Sequence, residues 1–189
     1  MLITLSGVTG SGKSFFKKQI QERLVLDNQI IYTTRPIRAG EKNGVDKFFV
    51  NDKEFDKLEK QNKIMVTFEF LGYRYGYETK QIKSDENTIV ELHYKIIYKL
   101  KEEVDKVFSI YIIPKNIEIA KQNLKNRNLE KTQEDLRLKE IEEQSKEFGN
   151  NKELQGQFDY ILKNKYDEDS IEKLIEIIKE RMLNLWEKK

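Results

Sequence analysis

Short unbroken apolar runs alternate along this chain with longer stretches in which apolar residues recur every three or four positions. The run at residues 2–6 is apolar but for two small hydroxyl residues and carries no charge, which suits a parallel strand covered on both faces. Residues 13–26 place Phe15, Phe16, Ile20 and Leu24 on one stripe and predict a first helix. A short strand at 30–32 follows, and then a basic loop at 33–41 that Pro36 stiffens. Strand, charged helix and strand are expected at 48–50, 52–61 and 64–70, with Phe55 and Leu58 inward on the helix. A tyrosine- and glycine-rich segment, 72–77, closes this part. Buried strands at 88–92 and 108–113 flank a helix at 94–104, and Pro114 stops the second of them. A helix at 116–126, a polar and mobile connection at 128–133, a charged helix at 134–148, a strand at 160–162 and a long amphipathic helix from 169 to about 186 complete the order. Strands alternating with helices predict an α/β fold, a parallel sheet flanked by helices. Residues 35–85 read as a small mixed lobe inserted into it.

Composition narrows this picture. At 189 residues the chain is one domain with room for a substantial core. Charged residues at 36% and the lack of any long apolar run exclude a membrane-spanning helix. A formal charge of +2 is too near balance to imply a nucleic-acid partner. With no cysteine there are no disulfides and no thiol chemistry, and the start of the chain lacks the charged region of a secretion signal. The expectation is a cytoplasmic protein, monomeric or homodimeric, with no membrane or nucleic-acid partner.

The chemistry concentrates first between strand 2–6 and helix 13–26. Gly7-Val8-Thr9-Gly10-Ser11-Gly12-Lys13-Ser14 matches G-x-x-x-x-G-K-[ST], the phosphate-binding P-loop, in its strand-to-helix context. Glycines let successive backbone N–H groups converge on the phosphates of a nucleoside triphosphate, and the helix N-terminus adds its positive end. Lys13 brings a point charge to those phosphates, and the Ser14 hydroxyl is placed to ligate Mg²⁺. Gly7, Thr9, Gly10, Ser11, Gly12, Lys13 and Ser14 are therefore the expected ATP-binding residues.

The second concentration is the loop Thr33-Thr34-Arg35-Pro36-Ile37-Arg38-Ala39-Gly40-Glu41, continuing to Lys47-Phe48-Phe49-Val50. Two arginines three positions apart can fork around a monophosphate, Glu41 can hold one in place, and Tyr75 can donate its hydroxyl to the same phosphate. At this segment, and at Tyr75-Gly76, Arg127 and Phe158-Asp159-Tyr160 leading to Asn164, the sequence resembles the guanylate kinase family over nearly its whole length. That resemblance implies a P-loop kinase with a core at 1–34 and 86–189, a helical lid at about 126–140 and an acceptor lobe at 35–85. It implies ATP and Mg²⁺ as cofactors and a phosphate-bearing small molecule as acceptor. It places Arg35, Arg38, Glu41, Lys47, Tyr75, Tyr77, Glu91 and His93 at the acceptor and Asn164 beside adenine. Arg127 matches a catalytic lid arginine, and a second lid cation falls on Arg137 or Lys139.

The resemblance fails at the base. Positions that read guanine in the family fall on Ile31, Val66, Tyr77 and His93, and neither Ile31 nor Val66 can accept from guanine's N1 and N2 donors. Glu69 would substitute only if strand 64–70 carried a bulge, since 66 and 69 otherwise face opposite ways. The expected activity is a guanylate kinase-like phosphotransferase acting on a nucleoside monophosphate, GMP or dGMP by family default but with altered base specificity. The alternatives are a kinase of a non-nucleotide phosphate ester and a noncatalytic binding module.

Overall fold

A computed structural model describes residues 1–186 apart from Ile30, Ala39, Asp85 and Asn128. The first residue of the strand expected at 30–32 and of the connection expected at 128–133 lie outside the described residues. In chain order the elements are β1 (Leu2–Ser6), α1 (Lys13–Arg23), β2 (Asp27–Asn28), β3 (Ile31–Thr33), β4 (Phe48–Phe49), α2 (Asp52–Lys60), β5 (Ile64–Phe70), β6 (Tyr73–Glu78) and α3 (Thr79–Ile82). There follow β7 (Thr88–Glu91), a 3₁₀ turn over Tyr94–Ile96, α4 (Ile97–Glu103), β8 (Val107–Pro114), α5 (Ile117–Lys125), α6 (Lys131–Asn150), α7 (Lys152–Gly156), β9 (Tyr160–Asn164) and α8 (Glu168–Trp186).

The larger sheet is five-stranded, in the order β2-β7-β1-β8-β9, and every pairing in it is parallel. Its unbroken apolar strands follow from helices on both faces. On one face Ile3, Leu5 and Ile110 pack under Phe16 and Ile20 of α1 and Leu174 and Ile178 of α8. On the other, Leu2, Val90 and Tyr111 pack against Leu100 of α4 and Phe148 of α6. That second cluster continues into Ile31, Val66, Tyr75 and Tyr77, so the small sheet shares a core with the large one.

The smaller sheet runs β4-β3-β6-β5, with β3–β4 parallel and the other pairs antiparallel. Residues 72–77 are thus more than a closing loop: alternate tyrosines at 73, 75 and 77 make β6 a central strand. In β5 the pairing jumps from Met65↔Tyr77 to Phe68↔Tyr75, one residue too many on β5. Paired residues share a face, so this bulge puts Phe68 and Phe70 with Tyr75 and Tyr77, while Ile64 faces the other way with Gly76, toward Phe55 of α2. Val66 sits inside the bulge at φ 50°, a conformation that costs a β-branched residue roughly 1–3 kcal/mol.

Three local expectations change. α1 ends at Arg23, where Leu24 turns extended to lead the chain to β2. Phe15 is 54% exposed, because Phe16, about 100° further round the helix, takes the inward position. The polar connection expected at 128–133 is short, since α6 begins at Lys131.

Candidate active site

Because the large sheet is parallel, the carboxyl ends of its strands share one edge, where α/β proteins bind ligands. β1 runs into the P-loop, and β7 ends at Glu91, which lies beside Leu5 in the register. From the segment after β8, Asn123 of α5 donates to the Gly10 carbonyl at 3.0 Å. Beyond β9, Asn164 donates to the Ser11 carbonyl at 2.9 Å and Tyr166 donates to that of Gly10 at 3.3 Å. The loop is held so closely that a Cβ at Gly10, φ 82°, would lie 2.1 Å from the Ala120 carbonyl oxygen. Gly12, φ 97°, hands the chain into α1 with Asn164 against it. Lys13 closes the loop from inside, its ammonium donating to the Gly7 and Val8 carbonyls at 2.8 Å each.

One cavity of about 390 Å³ joins this loop to the basic segment after β3. Gly7, Thr9, Gly10, Gly12, Lys13 and Ser14 line one end, and Arg35, Arg38, Glu41, Lys47 and Tyr75 line its middle. Arg127 and Arg137 reach it from the helical side, as do Glu91, His93 and Tyr77 from below. Ser11 is fully buried behind the loop, and Asn164 braces the loop from outside this cavity. Asn164 instead lines a shallower recess with Gly12, Phe15 and Tyr166. Lys139, the alternative to Arg137, points to solvent toward Glu143, whereas Arg137 is only 6% exposed.

Glu41 organises the basic segment. Its carboxylate accepts from the Arg35 guanidinium at 2.8 Å and from the Arg38 backbone N–H at 2.8 Å. Burial works against its charge, but those two bonds hold its pKa below the usual range. Arg35 is fixed further by the Pro36 carbonyl at 2.7 Å and lies over the Phe49 ring. The guanidiniums of Arg38 and Arg137 make no hydrogen bond among the described residues, and neither does the Tyr75 hydroxyl. Burial, then the nearby Arg35 and Arg137, push Arg38 down to about 10, so it stays charged at neutral pH. The cavity brings together six cationic side chains and three carboxylates. That excess, partly desolvated and partly without partners, is a site built for anions.

Glu91 is the carboxylate nearest the P-loop. Burial opposes its charge, yet Lys13, Lys47, Lys17 and a hydrogen bond from the Ser14 hydroxyl hold its pKa down. Ser14 Oγ and Glu91 form a pair of hard oxygen donors. Among the described residues no group of three or more acidic, histidine or cysteine side chains could cage a metal. A cation here must complete its shell with water and ligand oxygens, as Mg²⁺ does and Ca²⁺ or Zn²⁺ sites do not require, so the donors fit Mg²⁺.

Glu69 does not serve the cavity. The bulge is present, but it turns Phe68 and Phe70 inward and leaves Glu69 exposed opposite Arg74. Val66 is buried in the core, and Ile31 and Tyr77 line the cavity wall. The Tyr77 hydroxyl donates to the Glu91 backbone carbonyl at 3.2 Å.

Glu140 and Gln144 are cavity residues that the sequence reading missed. They lie three and seven positions after Arg137, on the stripe that buries Arg137, Ile141, Gln144 and Phe148 of α6, so helical periodicity from Arg137 could have found them. Glu140 accepts from the Thr9 hydroxyl at 3.4 Å. Burial raises its pKa above the ordinary 4.5, with Lys13 and Arg137 pulling the other way. A raised carboxyl stabilises the fold at low pH and loses that contribution as pH rises through its folded pKa. Glu140→Gln should therefore raise the melting temperature at pH 7 by about 2–4 °C, equivalent to roughly 1 kcal/mol in a chain of this size. Below the ordinary carboxyl pKa both forms are neutral, so the gap should close. Scanning calorimetry of both proteins at pH 7 and pH 4 checks this, and an equal gap at both would show that ionisation is not the cause.

A family profile described as Guanylate kinase matches residues 1–181. A guanylate kinase of Malacoplasma penetrans is 32% identical over 192 residues, covering 96% of this chain and 94% of its own. One from Rickettsia prowazekii is 30% identical over 186 residues, covering 94% and 90%. The crystal structure of guanylate kinase from Anaplasma phagocytophilum superposes with a TM-score of 0.74 over 95% of this chain and 84% of that one, at 23% identity.

Proposed function

The chain belongs to the guanylate kinase family, and from that premise we propose that it transfers the γ-phosphoryl group of ATP, with Mg²⁺, to a nucleoside monophosphate whose base is not read as guanine. The observation that carries this is the single cavity in which the P-loop meets Arg35, Arg38, Tyr75 and Arg137. Two anions fit end to end in it, and phosphoryl transfer is mostly positioning plus fixed positive charge.

In the reaction an oxygen of the acceptor phosphate attacks the γ-phosphorus while the bond to the bridging oxygen breaks, and ADP leaves with that electron pair. Lys13 and the P-loop amides hold the donor phosphates. Mg²⁺, held by Ser14 with Glu91 behind it, would neutralise donor charge when bound. Arg35, pre-set by Glu41, and Arg38 fork the acceptor phosphate, Tyr75 donates to it, and Lys47 adds charge beside Glu91. Arg127 and Arg137 meet the migrating group from the lid side. In this reading the small sheet with α2 and α3 is the acceptor lobe, and the start of α6 is the lid that excludes water.

ADP release on mixing the protein with Mg²⁺-ATP and a panel of nucleoside monophosphates tests the activity. Arg38→Ala should raise the acceptor KM by about ten- to a hundredfold, the worth of a charged hydrogen bond, with the KM for ATP unchanged. ATP binding without turnover of any acceptor would instead mark a binding module, and an unmoved acceptor KM would remove Arg38 from the site.

A further inference from the structure

At the end of the cavity beyond the arginines the lining changes from charged to aromatic. Ile31, Phe68, Phe70, Tyr77, His93 and Tyr94 form this end. The Phe68 ring stacks on Tyr75 with centroids 5.1 Å apart, and the His93 ring lies 5.4 Å from Phe68 and 4.7 Å from both Phe70 and Tyr94. These flat faces suit a planar ring, since stacking tolerates any base. Polar groups at this end are few and mostly committed. Tyr77 donates to the Glu91 backbone, and Tyr94 donates to Glu147. All three cavity carboxylates are held elsewhere: Glu41 by the arginine segment, Glu91 by Ser14 and lysines, Glu140 by Thr9.

Gln144, which also lines the cavity, donates to the Tyr111 hydroxyl at 3.1 Å and leaves one amide oxygen, where guanine's two neighbouring donors need two acceptors. His93 offers a ring nitrogen. Its Nδ1 accepts from the Lys95 backbone N–H at 3.4 Å. A ring whose Nδ1 accepts carries its proton on Nε2, here a donor without a partner among the described residues.

We propose, building on the kinase reading above, that the acceptor is a monophosphate of an oxo-base, a 6-oxopurine or 4-oxopyrimidine, held by stacking and by one hydrogen bond from His93 Nε2–H to the ring carbonyl, with no recognition of guanine's 2-amino group. Guanine's N1–H and N2–H₂ need acceptors side by side, and no carboxylate is free to supply them. A site that pairs such donors rejects an analogue lacking one by about 10⁴-fold or more, whereas a site that ignores the group barely discriminates.

The test compares kcat/KM for GMP and IMP, which differ only in the 2-amino group, alongside TMP, UMP and AMP, in the wild type and in His93→Phe, which keeps the ring and loses the donor. GMP and IMP are expected within tenfold of each other, or both inferior to TMP or UMP. His93→Phe should cost the best substrate at least fivefold in kcat/KM with the KM for ATP unchanged. A preference for GMP over IMP above tenfold, AMP as best substrate, or a smaller effect of His93→Phe would overturn the proposal. Should no monophosphate be phosphorylated, the kinase reading fails on its own. Calorimetric binding of GMP and IMP then decides the pocket: equal affinities uphold it, and GMP tighter by more than tenfold refutes it.

Discussion

Lys13→Ala is expected to lower kcat by about 10³-fold, the upper end of what one fixed electrostatic group contributes to transfer. The side chain has two duties. Its ammonium ties the Gly7 and Val8 carbonyls together, and in the proposed kinase the same charge would meet the donor phosphates. Burial pulls its pKa down, while Glu91 and Glu140 push it back up. The alanine variant should therefore weaken ATP binding as well as slow transfer. Rapid-quench measurement of phosphoryl transfer at saturating ATP, with circular dichroism to confirm folding, separates the two effects. A folded variant within tenfold of wild-type kcat would contradict the role given to Lys13.

Arg137→Ala should lower kcat by about 10²-fold while leaving both KM values nearly unchanged. Its guanidinium is buried and makes no hydrogen bond among the described residues. Burial, then Arg127 and Arg35, lower its pKa, while Tyr75 and Glu140 raise it. A cation kept in that state contributes little to folding, so its use lies in meeting charge that develops elsewhere. The variant should accordingly melt within about 2–4 °C of the wild type, an equivalent of roughly 1 kcal/mol. Lys139→Ala, by contrast, should behave as the wild type, because Lys139 faces solvent. A large kcat loss in Lys139→Ala with none in Arg137→Ala would reverse the assignment.

Much of this protein was legible from residue order. The P-loop is readable because a β-turn-α phosphate cradle demands glycines, a lysine and a hydroxyl at consecutive fixed positions. The paired arginines are readable because Arg35, Arg38 and Glu41 lie within seven residues and fold upon one another. Contacts this local need no knowledge of the rest of the chain. The buried strands were likewise visible, since parallel strands covered on both faces leave unbroken apolar runs.

What escaped depends on partners far apart in sequence. Periodicity gave α6 but not which of Arg137 and Lys139 points inward, which α5 and the large sheet settle by packing on one side of the helix. Glu140 follows from Arg137 by helical periodicity only once Arg137 is known to face inward, and its partner Thr9 lies 131 residues away. The aromatic end of the cavity was least legible of all. Plain alternation puts Val66, Phe68 and Phe70 of β5 on one face, and only the extra residue opposite β6 sets which of them reach the cavity.

The order of residues by itself thus determined the anion chemistry, because phosphate cradles and arginine forks are built from neighbours along the chain. Only the tertiary structure decided which side chains line the aromatic end of the cavity, because a one-residue bulge changes which of them face inward, and that bulge exists only in the pairing of β5 with β6.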